Sequence, residues 1–81
     1  MRDLNLLYVF EALWRDRSVT VASERLGVTQ AAVSGSLKRL RAEYEDKMFT
    51  LVGRKMQPTP LATALSNQLL DALATVRGTK D

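Results

Sequence analysis

The chain has 81 residues, enough for one small domain, and carries a formal net charge of +3. It has no cysteine and no histidine, which excludes a disulfide framework, the usual zinc ligands and the commonest general base. No apolar run reaches the length of a membrane span, and the opening residues are too quickly interrupted to form a secretory signal. The sequence therefore predicts a soluble cytoplasmic protein with no metal, no other cofactor and no membrane partner.

The positive charge lies in the middle of the chain. Residues 30–55 hold six basic and three acidic residues, whereas the segments before and after it carry equal numbers of each sign. Such a cluster of cations is typical of a nucleic-acid binding surface. Clusters of this size also occur on ordinary protein surfaces, so the charge alone leaves both interpretations open.

The first predicted helix runs from a cap at Asp3 to about Arg15. Its apolar residues recur at helical spacing and predict a face turned to the core: Leu6, Leu7, Val9, Phe10, Leu13 and Trp14. The polar residues after Arg15 end this helix, and either Ser18 or Thr20 caps the next one.

Two short amphipathic helices follow, over residues 19–26 and 30–43. Gly27 favours the left-handed backbone that ends a helix, and Thr29 can cap the next helix. Val28, between them, is expected to pack into the core. A helix, a tight turn with glycine and a second helix form a helix-turn-helix, whose second helix enters the DNA major groove.

The second of these helices has two different faces. One stripe is apolar and predicts contact with the core: Val33, Leu37, Leu40 and Tyr44. On the outer side, Gln30 can bond adenine, Ser34 can bond either base type, and Ala31 can contact a thymine methyl group. Three cations further along can reach phosphates: Lys38, Arg39 and Arg41. The alternative is a three-helix bundle with an ordinary solvated face.

Residues 48–59 predict a β-hairpin. Phe49 and Leu51 are apolar at period two, and a turn with glycine separates them from Met56. Arg54 and Lys55 lie at the tip, where a wing would follow the phosphates and enter the minor groove. The alternative is a plain connecting loop with two solvated cations.

Thr59 followed by Pro60 is a strong helix start, and the last helix is expected to run to about Arg77, with Gly78 as its stop. Its apolar stripe is wide for one small domain to cover. One flank can pack on the first helix, and the other is predicted to pair with a second copy of the chain through Leu65, Leu69, Leu73 and Val76. Alternatively, the whole stripe packs on its own domain.

Three stretches in chain order carry a family resemblance: LNLLYVFEAL, SVTVASERLGVTQAAVSGSLKRLR and MFTLVGRKMQPTPLA. Their most specific parts are TQAAVS, the LKRL after it, and the wing that leads into Pro-Thr. Together they resemble the amino-terminal DNA-binding domain of LysR-type bacterial transcriptional regulators, in particular the branch with nodulation and aromatic-degradation regulators.

The resemblance implies a mainly α fold, a winged helix-turn-helix of three helices and a two-stranded wing, followed by a long linker helix that dimerises. We expect residues 1–58 to form the DNA-binding domain and residues 59–81 the linker helix and tail. The implied function is sequence-specific binding of double-stranded promoter DNA by a homodimer on inverted repeats. The positions that the resemblance puts at the groove are Thr29, Gln30, Ala31, Ser34 and Lys38, with Arg54 in the wing.

Family members also carry a larger effector-binding domain after the linker helix. Any small-molecule effector is therefore expected in a domain absent from these residues, and we expect the chain to be a fragment rather than a stand-alone reader. The sequence departs from the family pattern at Ala31, often proline, and at Gly35, often a long polar residue. It also lacks the glycine common early in the linker helix.

Two other classes of function compete with DNA binding. A helical protein-interaction module would use the leucine stripe of the last helix to bind a partner helix. An enzyme is not expected, because the spacing suggests no set of nucleophile, base and orienting residue.

Overall fold

The computed structural model describes residues 4–78. The elements, in chain order, are α1 (Leu4–Asp16), α2 (Val19–Leu26), α3 (Gln30–Tyr44), β1 (Phe49–Val52), β2 (Lys55–Pro58) and α4 (Pro60–Gly78). The two strands form one antiparallel sheet. This confirms the predicted mainly helical fold with a small wing, while the predicted cap at Asp3 lies outside the described residues.

Local caps fix the ends of the two helices in the helix-turn-helix, as the sequence predicted. Ser18, rather than Thr20, caps α2, because its hydroxyl accepts the N–H of Val21 at 3.1 Å. Gly27 ends α2 with a φ of 70°, in the left-handed region. Thr29 begins α3, since its Oγ1 accepts the N–H of Ala32 at 3.0 Å.

The core is built around α1, which contacts α2, α3 and α4. Its predicted apolar stripe is buried except for Trp14, which is half-buried. The ring of Phe10 stacks on Trp14 with centroids 6.0 Å apart and tilts against Phe49 at 5.5 Å. Since Phe49 opens β1, these aromatic contacts join the wing to the helical core.

The wing is a hairpin with a two-residue turn, Gly53 and Arg54. Gly53 has a φ of 62°, which a residue with a side chain rarely adopts, and this explains glycine at that position. The N–H of Met56 donates to the carbonyl of Arg17 at 2.9 Å, which ties β2 to the connection between α1 and α2. Met56 is buried, whereas Leu51 opposite it is 67% exposed, beyond the edge of the core.

The prediction that Val28 packs into the core is wrong. Its side chain is 45% exposed and lines a shallow groove with Leu26 and Ala32. Val28 lies in the turn itself, whereas the residues of the helix-turn-helix that reach the core lie within its two helices: Ala22 in α2 and Val33 in α3 are both 0% exposed.

The structure also corrects the assignment of α4 residues to a dimer surface. Leu69 and Leu73 are 8% and 0% exposed, because α4 packs on α1 and both side chains join the chain's own core. Leu65 and Val76 are half-buried at the edge of this contact. The sequence alternative, in which the stripe packs on its own domain, therefore holds for the two central leucines.

The carboxyl end of α4 is held against α1 by an ion pair. Both oxygens of the Glu11 carboxylate accept from the guanidinium of Arg77, each at 2.8 Å. The same guanidinium lies over the ring of Tyr8, 5.5 Å from its centroid. These contacts fix the direction of α4 relative to the helix-turn-helix.

Candidate nucleic-acid interface

The outer face of α3 presents the predicted base-reading residues to solvent. Thr29, Gln30, Ala31 and Ser34 are all exposed, and so is Gly35 on the same side. The opposite stripe is inward: Val33, Leu37 and Leu40 are buried, and Tyr44 is half-buried. The amphipathic pattern therefore turns the small and polar side chains away from the core, as the sequence predicted.

The hydroxyl group of Thr29 accepts one hydrogen bond and can donate another. Its Oγ1 accepts the N–H of Ala32 and so caps α3. The hydroxyl proton is still available, so Thr29 can donate to a phosphate or a base without losing the cap. Gln30, the next residue, begins the first turn of α3, where its long amide can extend beyond the helix end.

All five predicted backbone-binding cations are exposed and lie on α3 or at the wing tip. Lys38, Arg39 and Arg41 are on α3, and Arg54 and Lys55 are at the hairpin turn. The small residues at the start of α3 thus have cations further along the same helix, and the wing that follows α3 carries two more at its tip. This arrangement suits a polyanion that crosses both elements.

Arg41 has a structural role that the sequence did not suggest. Its Nε donates to the carbonyl of Lys47 and its Nη2 to the carbonyl of Phe49, both at 2.9 Å. The fixed fork of a guanidinium suits two such acceptors. Arg41 therefore binds the main chain that leads from α3 into the wing, and its contact with phosphate stays a prediction.

Sequence reasoning missed Asp46 altogether. Its Oδ2 accepts the N–H of Met48 at 2.8 Å and the hydroxyl of Thr59 at 2.6 Å. The Thr59 hydroxyl and the Met48 amide stabilise the charged carboxylate and lower the pKa of Asp46 below its ordinary value. An aspartate three residues before a strand was the only available signal, and it does not reveal the distant threonine.

Thr59 was predicted only as a helix cap. It does cap α4, because its Oγ1 accepts the N–H of Ala62 at 3.1 Å. Its main-chain N–H also donates to the carbonyl of Met48 at 2.9 Å. One residue therefore joins the start of α4 to both the carboxylate of Asp46 and the segment before the wing.

The described residues offer little else that resembles a site. Within residues 4–78, no group of three or more histidine, cysteine, aspartate or glutamate residues could hold a metal ion. The groove beside Val28 has a volume of about 360 Å³ and is lined mainly by apolar side chains, with Asn5, Tyr8 and Ser36 as its polar members. None of the helices in this part of the chain is both long and apolar enough to cross a membrane.

A helix-turn-helix with a basic hairpin after its second helix defines a winged helix-turn-helix protein. The model for bacterial regulatory helix-turn-helix proteins of the lysR family matches residues 4–63. The chain belongs to this LysR family.

Curated relatives agree with the family match. The HTH-type transcriptional activator NagR of Ralstonia sp is 52% identical over 75 residues, which are 93% of this chain and 25% of the relative. The activator NahR of Pseudomonas putida is 45% identical over the same shares of the two chains. Nodulation protein D 1 of Rhizobium meliloti (strain 1021) is 42% identical over 88% of this chain. The chain thus spans about a quarter of the length of these relatives.

Solved structures share the fold. A "probable transcriptional regulator" of Pseudomonas aeruginosa, 40% identical, superposes with a TM-score of 0.90 over 95% of this chain and 26% of that chain. The DNA-binding domain of CbnR in complex with DNA superposes with a TM-score of 0.88 over 98% of this chain and 91% of that chain. At 19% identity, the CbnR comparison shows the fold alone.

Proposed function

We propose that the chain binds double-stranded promoter DNA in a sequence-specific manner, as the DNA-binding part of a bacterial LysR-type transcriptional regulator. The main support is the outer face of α3, which exposes Gln30, Ala31, Ser34 and Lys38, while the opposite stripe is buried. The relatives named as transcriptional activators and the CbnR complex with DNA support this proposal.

Each exposed residue has a role in this proposal. Gln30 and Ser34 bond base edges in the major groove, Ala31 contacts a thymine methyl group, and Thr29 donates from its hydroxyl. The cations fix the register of the protein on the backbone: Lys38, Arg39, Arg54 and Lys55. In the proposed complex, Arg54 reaches the minor groove, where the negative potential is strongest.

We further propose that two copies pair through α4, on a face that keeps Leu65 from the predicted set but not the buried Leu69 and Leu73. Four residues of α4 follow one another at spacings of four, three and four residues: Leu61, Leu65, Gln68 and Ala72. Leu61 is 37% exposed, Leu65 is half-buried, and Ala72 is exposed. This spacing is typical of paired helices. The dimer would place two copies of α3 on the halves of an inverted repeat.

This proposal divides the chain at residue 58, with DNA binding before it and pairing after it. It places the protein in the bacterial cytoplasm, on the nucleoid when bound to DNA. A small-molecule effector, if the whole protein responds to one, would bind outside residues 1–81. The protein-interaction alternative loses support because Leu69 and Leu73, two members of its leucine stripe, are buried in the core.

Selection from a random pool of short duplexes tests the function, at one stated salt concentration because affinity depends on salt. We expect an inverted repeat to be enriched, with a spacing that reports the dimer geometry. Binding without enrichment would indicate a non-specific backbone binder, and no binding at low salt would refute the proposal. Sedimentation of Leu61→Asp tests the dimer, since this change should favour the monomer without unfolding the chain.

A further inference from the structure

The four residues between α3 and β1, residues 45–48, form the wing connector, which Arg41 holds from the side of α3. Arg41 donates to the carbonyls of Lys47 and Phe49, one inside the connector and one at the first residue of the wing. The carbonyl of Arg41 accepts the N–H of Asp46 at 3.2 Å. One residue of α3 thus makes contacts at both ends of the connector.

Asp46 holds the connector from the side of α4. Its carboxylate accepts from the amide of Met48, inside the connector, and from the hydroxyl of Thr59, the cap of α4. The amide of Thr59 returns a hydrogen bond to the carbonyl of Met48. The connector is therefore fixed to the two helices that flank the wing in the sequence.

The backbone of the connector would not adopt its shape without these contacts. Glu45 and Met48 have φ values of 50° and 65°, in the region that residues with side chains rarely occupy. The N–H of Phe49 donates to the carbonyl of Lys47 at 2.7 Å, closing a three-residue turn around Met48. Such strained backbone persists only where surrounding contacts hold it.

We propose that Arg41 and Asp46 are wing-positioning residues, which fix the place of Arg54 relative to α3. This inference rests on the proposed function, because the position of Arg54 matters only if Arg54 contacts DNA. The strand from Phe49 to Val52 extends about 10 Å, at about 3.3 Å per residue, and Arg54 lies just beyond its end in the turn. A rotation of about 10° at the connector would move the tip by about 2 Å, enough to break a hydrogen bond.

The first experiment measures the backbone mobility of the wing in the free protein. Backbone order parameters for the wing amides are compared by NMR in the wild type, Arg41→Lys and Asp46→Asn. Lysine keeps the charge of Arg41 but cannot bridge two carbonyls in one plane. We expect the order parameter at Arg54 to fall from about 0.85 towards 0.6 in both variants. Glu43→Gln, an exposed acid near the end of α3, is the matched control for the lost charge and should leave the wing unchanged.

The second experiment measures binding to the selected duplex. Arg41→Lys, Arg54→Ala and the double variant form a cycle that separates a shared effect from two independent ones. We expect each single variant to weaken binding about tenfold, and the double variant to bind about as weakly as either one. If the contribution of Arg54 depends on Arg41, losing both costs little more than losing one.

For Asp46→Asn, an effect of charge and an effect of wing position predict opposite changes in DNA affinity. Removing a negative charge should strengthen DNA binding if only the net charge matters, and Glu43→Gln measures that effect. If Asp46 positions the wing, its variant should instead bind the selected duplex more weakly than Glu43→Gln. Far-UV circular dichroism confirms in each case that the helices remain folded.

The two experiments separate this inference from the proposed function. Unchanged wing order in both connector variants would overturn the inference even if the chain binds DNA well. Additive losses from Arg41→Lys and Arg54→Ala would also overturn it and return Arg41 to an independent contact with phosphate. Loss of wing order in a chain that selects no duplex would support the positioning role and refute the DNA function.

Discussion

Gly35 lies in the middle of α3, on the face proposed to meet DNA, and the free protein does not require glycine there. A Cβ at this position would meet nothing within 4 Å, and the φ of Gly35 is not among the positive values of the chain. Glycine in an exposed helix interior is less favourable than alanine by about 0.8–1.0 kcal/mol. Gly35→Ala should therefore raise the free energy of unfolding by about that amount.

For a domain of this size, such a gain raises the melting temperature by about 4–8 °C, which thermal unfolding followed by circular dichroism will measure. The same methyl group should weaken binding to the selected duplex by about tenfold, or about 1.4 kcal/mol, because it holds α3 away from the base edges. Gly35→Ala is thus expected to be more stable than the wild type and to bind the selected duplex less tightly.

Thr63→Ala provides a matched control. Thr63 is exposed on α4, and alanine there should also stabilise a helix, by up to about 0.7 kcal/mol, without changing α3. DNA affinity should then stay at the wild-type value. A Gly35→Ala protein that binds as tightly as this control would refute the close approach of α3 to DNA, and one that melts earlier than the wild type would refute the argument from helix propensity.

Further predictions concern the interface, the core and pH. Lys38→Ala should weaken binding to all duplexes similarly and lower the salt slope by about one unit, measured by titration at several salt concentrations. Gln30→Ala should relax the preference at one base pair, at a cost of about 1–3 kcal/mol in competition with substituted duplexes. Leu73→Ala should lower the free energy of unfolding in urea by about 2–5 kcal/mol, because this side chain is 0% exposed. Asp46 has a pKa below its ordinary value of 3.8, because its charged form accepts from the Thr59 hydroxyl and the Met48 amide. Its contribution to stability is therefore present at neutral pH and is lost as the pH falls below about 4, so acid unfolding of Asp46→Asn should show a weaker dependence on pH.

Each of these predictions has an outcome that would contradict it. A Lys38→Ala variant that changes the preference at a single base pair would make Lys38 a base reader. Loss of affinity for every duplex in Gln30→Ala would instead assign Gln30 to the backbone. Unchanged stability of Leu73→Ala would mean that α4 does not pack on α1 in solution. An Asp46→Asn protein with the acid unfolding curve of the wild type would exclude the carboxylate as a source of the pH dependence.

The sequence by itself determined the elements of the fold, because local rules act within a few residues. Ser18, Gly27 and Thr29 set the ends of α2 and α3 through caps and a left-handed turn, and each occupies the predicted place. Gly53 set the hairpin turn in the same way. The helical period also separated the buried stripe of α3 from its exposed face, which is why the candidate base readers could be named in advance.

Only the tertiary structure decided where the longer side chains act. Leu69 and Leu73 fit either a dimer surface or a core, and the contact of α4 with α1 buries both. Arg41 fits either a phosphate or two carbonyls, and the path of the chain into the wing puts the carbonyls of Lys47 and Phe49 within reach. Asp46 meets Thr59 thirteen residues along the chain. Periodicity gives the direction of a side chain from its own helix, but its partner depends on how separate elements pack, and that information is not local.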